Sequence, residues 1–168
     1  YIITVIQKKN NLMDIGEYSP KSTLVVDENK IYRSKFPFID VHSHHWDMPI
    51  QDLSTLVSEM DSLNMAYLIN LSGSGLATFF GKQDLMEKNL TSSIRNVKEN
   101  FPKRFGVFFN INFNRIDDEN FKRNTTLLIN DAVNQGAIGL KVYKNLGLNL
   151  RDSKGKRVPV DDERLDLD

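Results

Sequence analysis

One stretch decides the fold of this chain: Phe36-Pro37-Phe38-Ile39-Asp40-Val41-His42-Ser43-His44-His45-Trp46-Asp47. The apolar residues in its first half predict a β-strand that begins after Pro37. Successive side chains of a strand point to opposite faces, so residues two apart share a face. His42 and His44 are therefore expected to point the same way, with Asp40 beneath them on the same side.

The other face of this strand carries Ile39 and Val41, which are expected to enter apolar packing. All three histidines of the chain lie within the stretch, and two of them share a face. Two imidazoles about one pleat apart at a strand end can bind one divalent transition metal ion. Zinc suits imidazole nitrogen, as do iron, nickel and manganese. Histidines of an ordinary surface loop are the alternative, and a further ligand elsewhere would be needed to complete a site.

Composition narrows the class of protein. The 168 residues include 40% hydrophobic and 26% charged residues, which is typical of one globular domain of ordinary size. Lys plus Arg and Asp plus Glu are both 22, so no basic field is predicted to attract nucleic acid or an anionic membrane. The absence of cysteine excludes disulfides and thiolate metal sites. The apolar opening Tyr1–Ile6 is too short to span a bilayer, and the compartment is left open.

Strands and helices are predicted to alternate along the chain. The predicted strands and the residues that mark the predicted helices are, in chain order, strand Phe38–Val41, helix Leu53–Leu63, strand Ala66–Leu71, helix Leu90–Phe101, strand Phe105–Phe113, helix Phe121–Ala132 and strand Ile138–Lys144. Such alternation implies parallel strands joined by crossover helices. The fold class is therefore α/β, and about four βα units make the N-terminal half of a (β/α)8 TIM barrel, which takes about 250 residues when complete. An open doubly wound sheet is the alternative.

This organisation predicts two parts, an N-terminal extension over residues 1–35 and a partial TIM-barrel domain over residues 36–168. Residues 22–26 are predicted to form a short strand within the extension. After the second strand, the Gly/Ser loop over residues 72–75 is interpreted as a flexible connection, because it lacks the pattern of a phosphate-binding loop. In a barrel, Asn110 and Asn112 would stand at the rim of a polar pocket. The alternative for them is an edge strand with a wet face.

The fourth strand places Gly139, Lys141 and Tyr143 on its inward face. A charged lysine is costly to bury, so Lys141 must be paired, deprotonated or modified. A neutral lysine amine can capture carbon dioxide as a carbamate, whose two oxygens can bridge two metal ions. Lys141 is the candidate for that role, and a salt bridge to a carboxylate at the rim is the alternative.

Several segments together resemble a known family. Residues 39–44 look like the first-strand signature of the amidohydrolase superfamily. Residues 136–148 and the tail 158–166 are similar to the amidohydrolase-related (amidohydrolase 2) branch, as is the lead-in 22–26. The resemblance implies a metal-dependent TIM-barrel hydrolase with its site at the C-terminal mouth of the barrel.

The resemblance also implies roles for single residues. His42 and His44 would be metal ligands, for one or two ions. Lys141 matches the position that is carboxylated in binuclear members such as hydantoinases and dihydroorotases, whereas decarboxylases of the amidohydrolase 2 branch use one metal and no such lysine. The general-base aspartate and further histidines of the family come from later strands, so they are expected beyond residue 168.

The expected activity is attack of a metal-activated water on an amide or related carbonyl of a small-molecule substrate. Ser72, Asn110, Asn112 and Tyr143 would line the pocket, and Asp40 would orient a ligand from behind. The alternatives are a decarboxylase of the same superfamily, a phosphoesterase whose barrel also opens with His-x-His, and a barrel that has lost catalysis and acts as a binding protein. A homo-oligomer is left open.

Overall fold

The structure is a computed structural model that describes residues 16–21, 23, 24, 27 and 29–167. The chain forms two compact units, one over Tyr1–Ile31 and one over Tyr32–Asp168. The described residues of the first unit are exposed and contain a turn at Gly16 and Glu17. The strand predicted over residues 22–26 includes Ser22, Val25 and Val26, which lie outside the described residues, as do residues 1–15.

The second unit alternates strands with helices, as predicted. Its elements are β1 Phe38–Ser43, α1 Leu53–Leu63, β2 Met65–Asn70, α2 Ala77–Phe80, α3 Gln83–Asn100, β3 Phe105–Phe109, a 3-10 helix Phe113–Arg115, α4 Phe121–Gln135, β4 Gly139–Leu140, α5 Asn145–Leu148 and a 3-10 helix Glu163–Leu165. Within the part of the chain that the structure describes, no helix combines the length and the apolar composition that a bilayer span requires.

The four strands form one parallel sheet in the order β1-β2-β3-β4, curled into a half-barrel. This confirms the α/β class and the parallel pairing. The apolar faces of α1, α3 and α4 pack on one side of the sheet against Leu68, Phe105, Val107 and Phe109. The carboxyl ends of parallel strands meet at one edge, so the loops after β1, β2, β3 and β4 gather there.

The long helices begin and end where local chemistry dictates. Asp52 caps the start of α1, since its carboxylate accepts hydrogen bonds from the backbone N–H and the hydroxyl of Ser54. α4 ends at Gly136, as predicted, with a φ of 111° that favours glycine. These helices then bury their apolar stripe, and truncating a core side chain such as Leu53 to Ala typically costs about 2–5 kcal/mol.

The last two strands are shorter than predicted. β3 ends at Phe109 rather than Phe113, because the Asn112 side chain accepts from the backbone N–H of Asn114 and caps a 3-10 helix. The ladder between β3 and β4 involves Gly139 and Leu140 alone, extended by a hydrogen bond from the Lys141 N–H to the Phe109 carbonyl at 2.9 Å. Tyr143 therefore lies beyond the strand, in the loop at its carboxyl end.

The alternation predicted for β1 also fails in part. Ile39 aligns with Tyr67 and Asp40 with the core residue Leu68, and the register shifts between Asp40 and Ser43. Aligned residues of neighbouring strands point to the same face, so Asp40 lies on the helix-covered face rather than beneath the imidazoles. Ile39 and Val41 are 57% and 64% exposed, because the described residues leave the concave face of the sheet uncovered.

Arg164 holds the C-terminal segment of the described residues in place through hydrogen bonds and ion pairs. Arg164 donates to Asp162 and Asp117 at 2.6–2.9 Å, and its guanidinium lies 3.5 Å from Asp152. These contacts with Arg164 lower the pKa of Asp162 to about 2. They join the tail to the loop that precedes α4.

We predict that the 168-residue chain self-associates. Within the described residues β1 and β4 each pair on one side only, and unpaired strand edges beside an apolar face favour association. Ile39→Lys should shift the mass measured by light scattering toward monomer. Ile50→Lys is the matched control, because Ile50 is 87% exposed but lies in the loop after β1. A sharply melting monomer of the unaltered chain would contradict this prediction.

Candidate metal centre

Two imidazoles lie side by side at the carboxyl end of β1. The ring centroids of His42 and His44 are 5.4 Å apart, with the ring planes at 66°. His42 is exposed and His44 is half-buried. Imidazoles this close can turn their nitrogens toward one ion, and neutral imidazole is a common zinc ligand.

The environment of His44 favours its neutral form. Burial lowers the pKa of His44, and the positive charges of His42, Lys141 and His45 lower it further. A metal ligand must present an unprotonated nitrogen, so this environment suits ligation.

His44 is anchored by a hydrogen-bond chain from two other strands. Its Nδ1 lies 2.6 Å from the Ser72 hydroxyl, which follows β2. The same hydroxyl lies 3.0 Å from the phenol of Tyr143, which follows β4. The Gly/Ser loop that carries Ser72 is buried, contrary to its interpretation as a flexible connection, because Gly73 packs against the Phe108 carbonyl and leaves no room for a side chain.

Lys141 lies on the same side of the site. Its ammonium is 5.8 Å from the ring centroid of Tyr143, and its charge reaches His44. No carboxylate among the described residues forms an ion pair with Lys141. The salt bridge proposed as the alternative for this lysine is therefore not found in this part of the chain.

Asp40 acts on its neighbours from the helix-covered face. Its carboxylate accepts a hydrogen bond of 2.9 Å from the backbone N–H of His42. Burial lowers the pKa of His45, and the charge of Asp40 opposes that shift. Asp40 thus holds the backbone of the first imidazole rather than its ring.

Asn110 and Asn112, which were predicted to line the pocket, are buried and connect loops through hydrogen bonds. Asn110 donates its amide hydrogens to the carbonyls of Leu71 and Lys141, at 3.2 and 3.3 Å. Asn112 donates to the Gly81 carbonyl at 2.8 Å. Asn112 also lines a cavity of about 260 Å³ beside Tyr143, whereas Asn110 does not line that cavity.

Asn70 holds the loop that carries the histidines, and it belongs to no motif that the sequence analysis identified. Asn70 is fully buried at the end of β2. It accepts from the backbone N–H groups of His45 and Ser72, and it donates to the His45 carbonyl, at 2.9–3.0 Å. One amide thus joins the loops that carry His44 and Ser72. An asparagine at a strand end could have been examined for such a role, but its partners are set by tertiary structure.

An aromatic cluster was also missed. Trp46 stacks on His44 with centroids 5.2 Å apart and planes at 9°. Phe79, on the short helix α2, packs against Trp46 and Tyr143 at 5.0 and 5.6 Å. The position of Trp46 on His44 is compatible with contact to a substrate and with packing under the loop.

The described residues do not form a complete metal site by themselves. No group of three or more His, Asp, Glu or Cys side chains within them is placed to hold an ion. Zinc usually takes four ligands, so His42 and His44 would need further protein ligands or water. Comparison of the chain with protein-family models, curated proteins and solved structures found no match.

Proposed function

We propose that this chain is part of a metal-dependent hydrolase of the amidohydrolase type. His42 and His44 would bind one or two divalent transition metal ions, zinc foremost, at the mouth of a TIM barrel. The observation that carries the proposal is the pair of imidazoles 5.4 Å apart at the carboxyl edge of a parallel half-barrel sheet. That edge is where barrel enzymes place their active sites.

Each residue of the site would have a separate task. A divalent ion bound there would polarise a substrate carbonyl and acidify a water molecule. His42 and His44 would hold it through ring nitrogens, and Asp40 keeps the backbone of His42 in place. Lys141 faces the same space, where its carbamate would add two oxygen ligands. The remaining ligands and the group that accepts the proton would come from outside the described residues.

A binding protein without catalysis is the second candidate. The cluster of His44, Trp46, Phe79 and Tyr143 favours it, because stacked rings beside a cavity are suited to hold a flat ligand. A decarboxylase would use the same imidazoles and differ in its product, carbon dioxide.

The test is metal-dependent turnover by the full-length protein. We expect one or two equivalents of transition metal by elemental analysis, and hydrolysis of amides or lactones that a chelator abolishes and added zinc restores. Stoichiometric metal with carbon dioxide release would identify the decarboxylase. Ligand binding with neither metal nor turnover would identify the binding protein and refute our proposal.

A further inference from the structure

The chain of hydroxyls behind His44 can run in either of two directions. Tyr143 lies within 3.5 Å of the Leu71 carbonyl and 3.0 Å of the Ser72 hydroxyl, which in turn lies 2.6 Å from His44 Nδ1. Each hydroxyl has one hydrogen to donate, so the orientation of the first decides the orientation of the next.

The Leu71 carbonyl offers the Tyr143 phenol an acceptor at the far end of this chain, at a long distance of 3.5 Å. A carbonyl oxygen only accepts, so a hydrogen bond at this contact has Tyr143 as its donor. In that arrangement the Tyr143 hydrogen points to Leu71, and the Tyr143 oxygen accepts from Ser72. The Ser72 hydrogen then points to Tyr143, which leaves the Ser72 oxygen to accept from His44. The Asn110 amide also donates to the Leu71 carbonyl at 3.2 Å, so that carbonyl is held in place.

We propose that Tyr143 and Ser72 are positioning residues that hold neutral His44 with its proton on Nδ1 and its lone pair on Nε2. In the reverse direction Tyr143 would donate to Ser72 and Ser72 to Nδ1, which would place the proton on Nε2. The hydrogen bond at one ring nitrogen selects which nitrogen can bind a metal. The use of this tautomer for metal binding rests on the proposed function, but the tautomer itself does not.

The experiment measures the tautomer without metal. The chain has three histidines, so selective ¹⁵N-histidine labelling gives three imidazoles, which His42→Gln and His45→Gln assign. Magic-angle-spinning NMR at pH 8 tolerates self-association and separates protonated from unprotonated ring nitrogens. We expect His44 of the unaltered protein to carry its proton on Nδ1.

Removal of the Tyr143 phenol should reverse the hydrogen bond between Ser72 and His44. In Tyr143→Phe the Ser72 hydroxyl loses its acceptor and is free to donate to Nδ1, so His44 should shift to the Nε2-protonated form. Zinc affinity should then fall about 10–100-fold, the effect typical of losing an outer partner of a ligand. Tyr67→Phe is the matched control, since Tyr67 lies within β2, and it should change neither quantity.

The outcomes separate this inference from the proposed function. An Nε2-protonated His44 in the unaltered protein, or a tautomer that Tyr143→Phe leaves unchanged, would overturn the inference. A tautomer that behaves as expected in a protein that binds no zinc would support the inference and refute the metal site.

Discussion

The proposed metal site predicts that the variant His42→Ala/His44→Ala of the full-length protein retains no stoichiometric metal. The two rings lie 5.4 Å apart at the carboxyl end of β1, so their removal would delete both ligands proposed for this part of the chain. Loss of an outer partner alone typically weakens metal binding about 10–100-fold, so loss of a direct ligand should cost on the order of 100-fold or more. Elemental analysis after dialysis against a weak chelator measures it, with each single variant losing part of the metal.

His45→Ala is the matched control for that experiment. His45 is the third histidine of the same stretch, and its charge interacts with Asp40 on the helix-covered face. Its backbone is held by Asn70, which the substitution leaves in place. His45→Ala should therefore keep its metal. Stoichiometric metal in the double variant would show that the ion binds elsewhere and would end the case for this site.

The helices and the parallel order were predictable because they follow from local pattern. Apolar spacing marked α1, α3 and α4, and Gly136 marked the end of α4. Each signal lies within a few residues of the feature that it specifies. The same holds for the two imidazoles, since His42 and His44 are only two residues apart where β1 ends.

The supporting contacts were not predictable because they join residues far apart in sequence. Ser72 and Tyr143 are 71 residues apart, and Asn70 reaches back 25 residues to His45. The prediction that Asp40 shares a face with the two imidazoles was wrong, because a register shift interrupts the alternation of β1. The predicted length of β3 was wrong because hydrogen bonds of asparagine side chains replace the strand ladder beyond Phe109. Asn110 donates to the Leu71 carbonyl, and Asn112 accepts from the backbone N–H of Asn114. A side-chain pattern alone does not contain these partners.

If Lys141 supplies a ligand, Lys141→Ala is expected to lower the proposed hydrolysis on the order of 100-fold or more, because loss of an outer partner alone typically costs about 10–100-fold. Its neutral amine would form an N–C bond to carbon dioxide and release a proton, which gives a carbamate with two oxygens for the metal site. Activity of the unaltered protein should then depend on bicarbonate, and small carboxylic acids should partly restore the variant because their oxygens replace the carbamate.

Lys144→Ala is the matched control, because Lys144 is an exposed lysine at the start of the short α5. It lies three residues from Lys141 and should retain activity and its bicarbonate response. Unchanged hydrolysis in Lys141→Ala would remove the lysine from the site and would favour a centre built on imidazoles and ligands from outside the described residues. The metal content of the same samples distinguishes loss of an ion from loss of turnover alone. If a carbamate on Lys141 holds two ions, Lys141→Ala should lose one of them. If Lys141 acts only through its charge, the metal content should be unchanged.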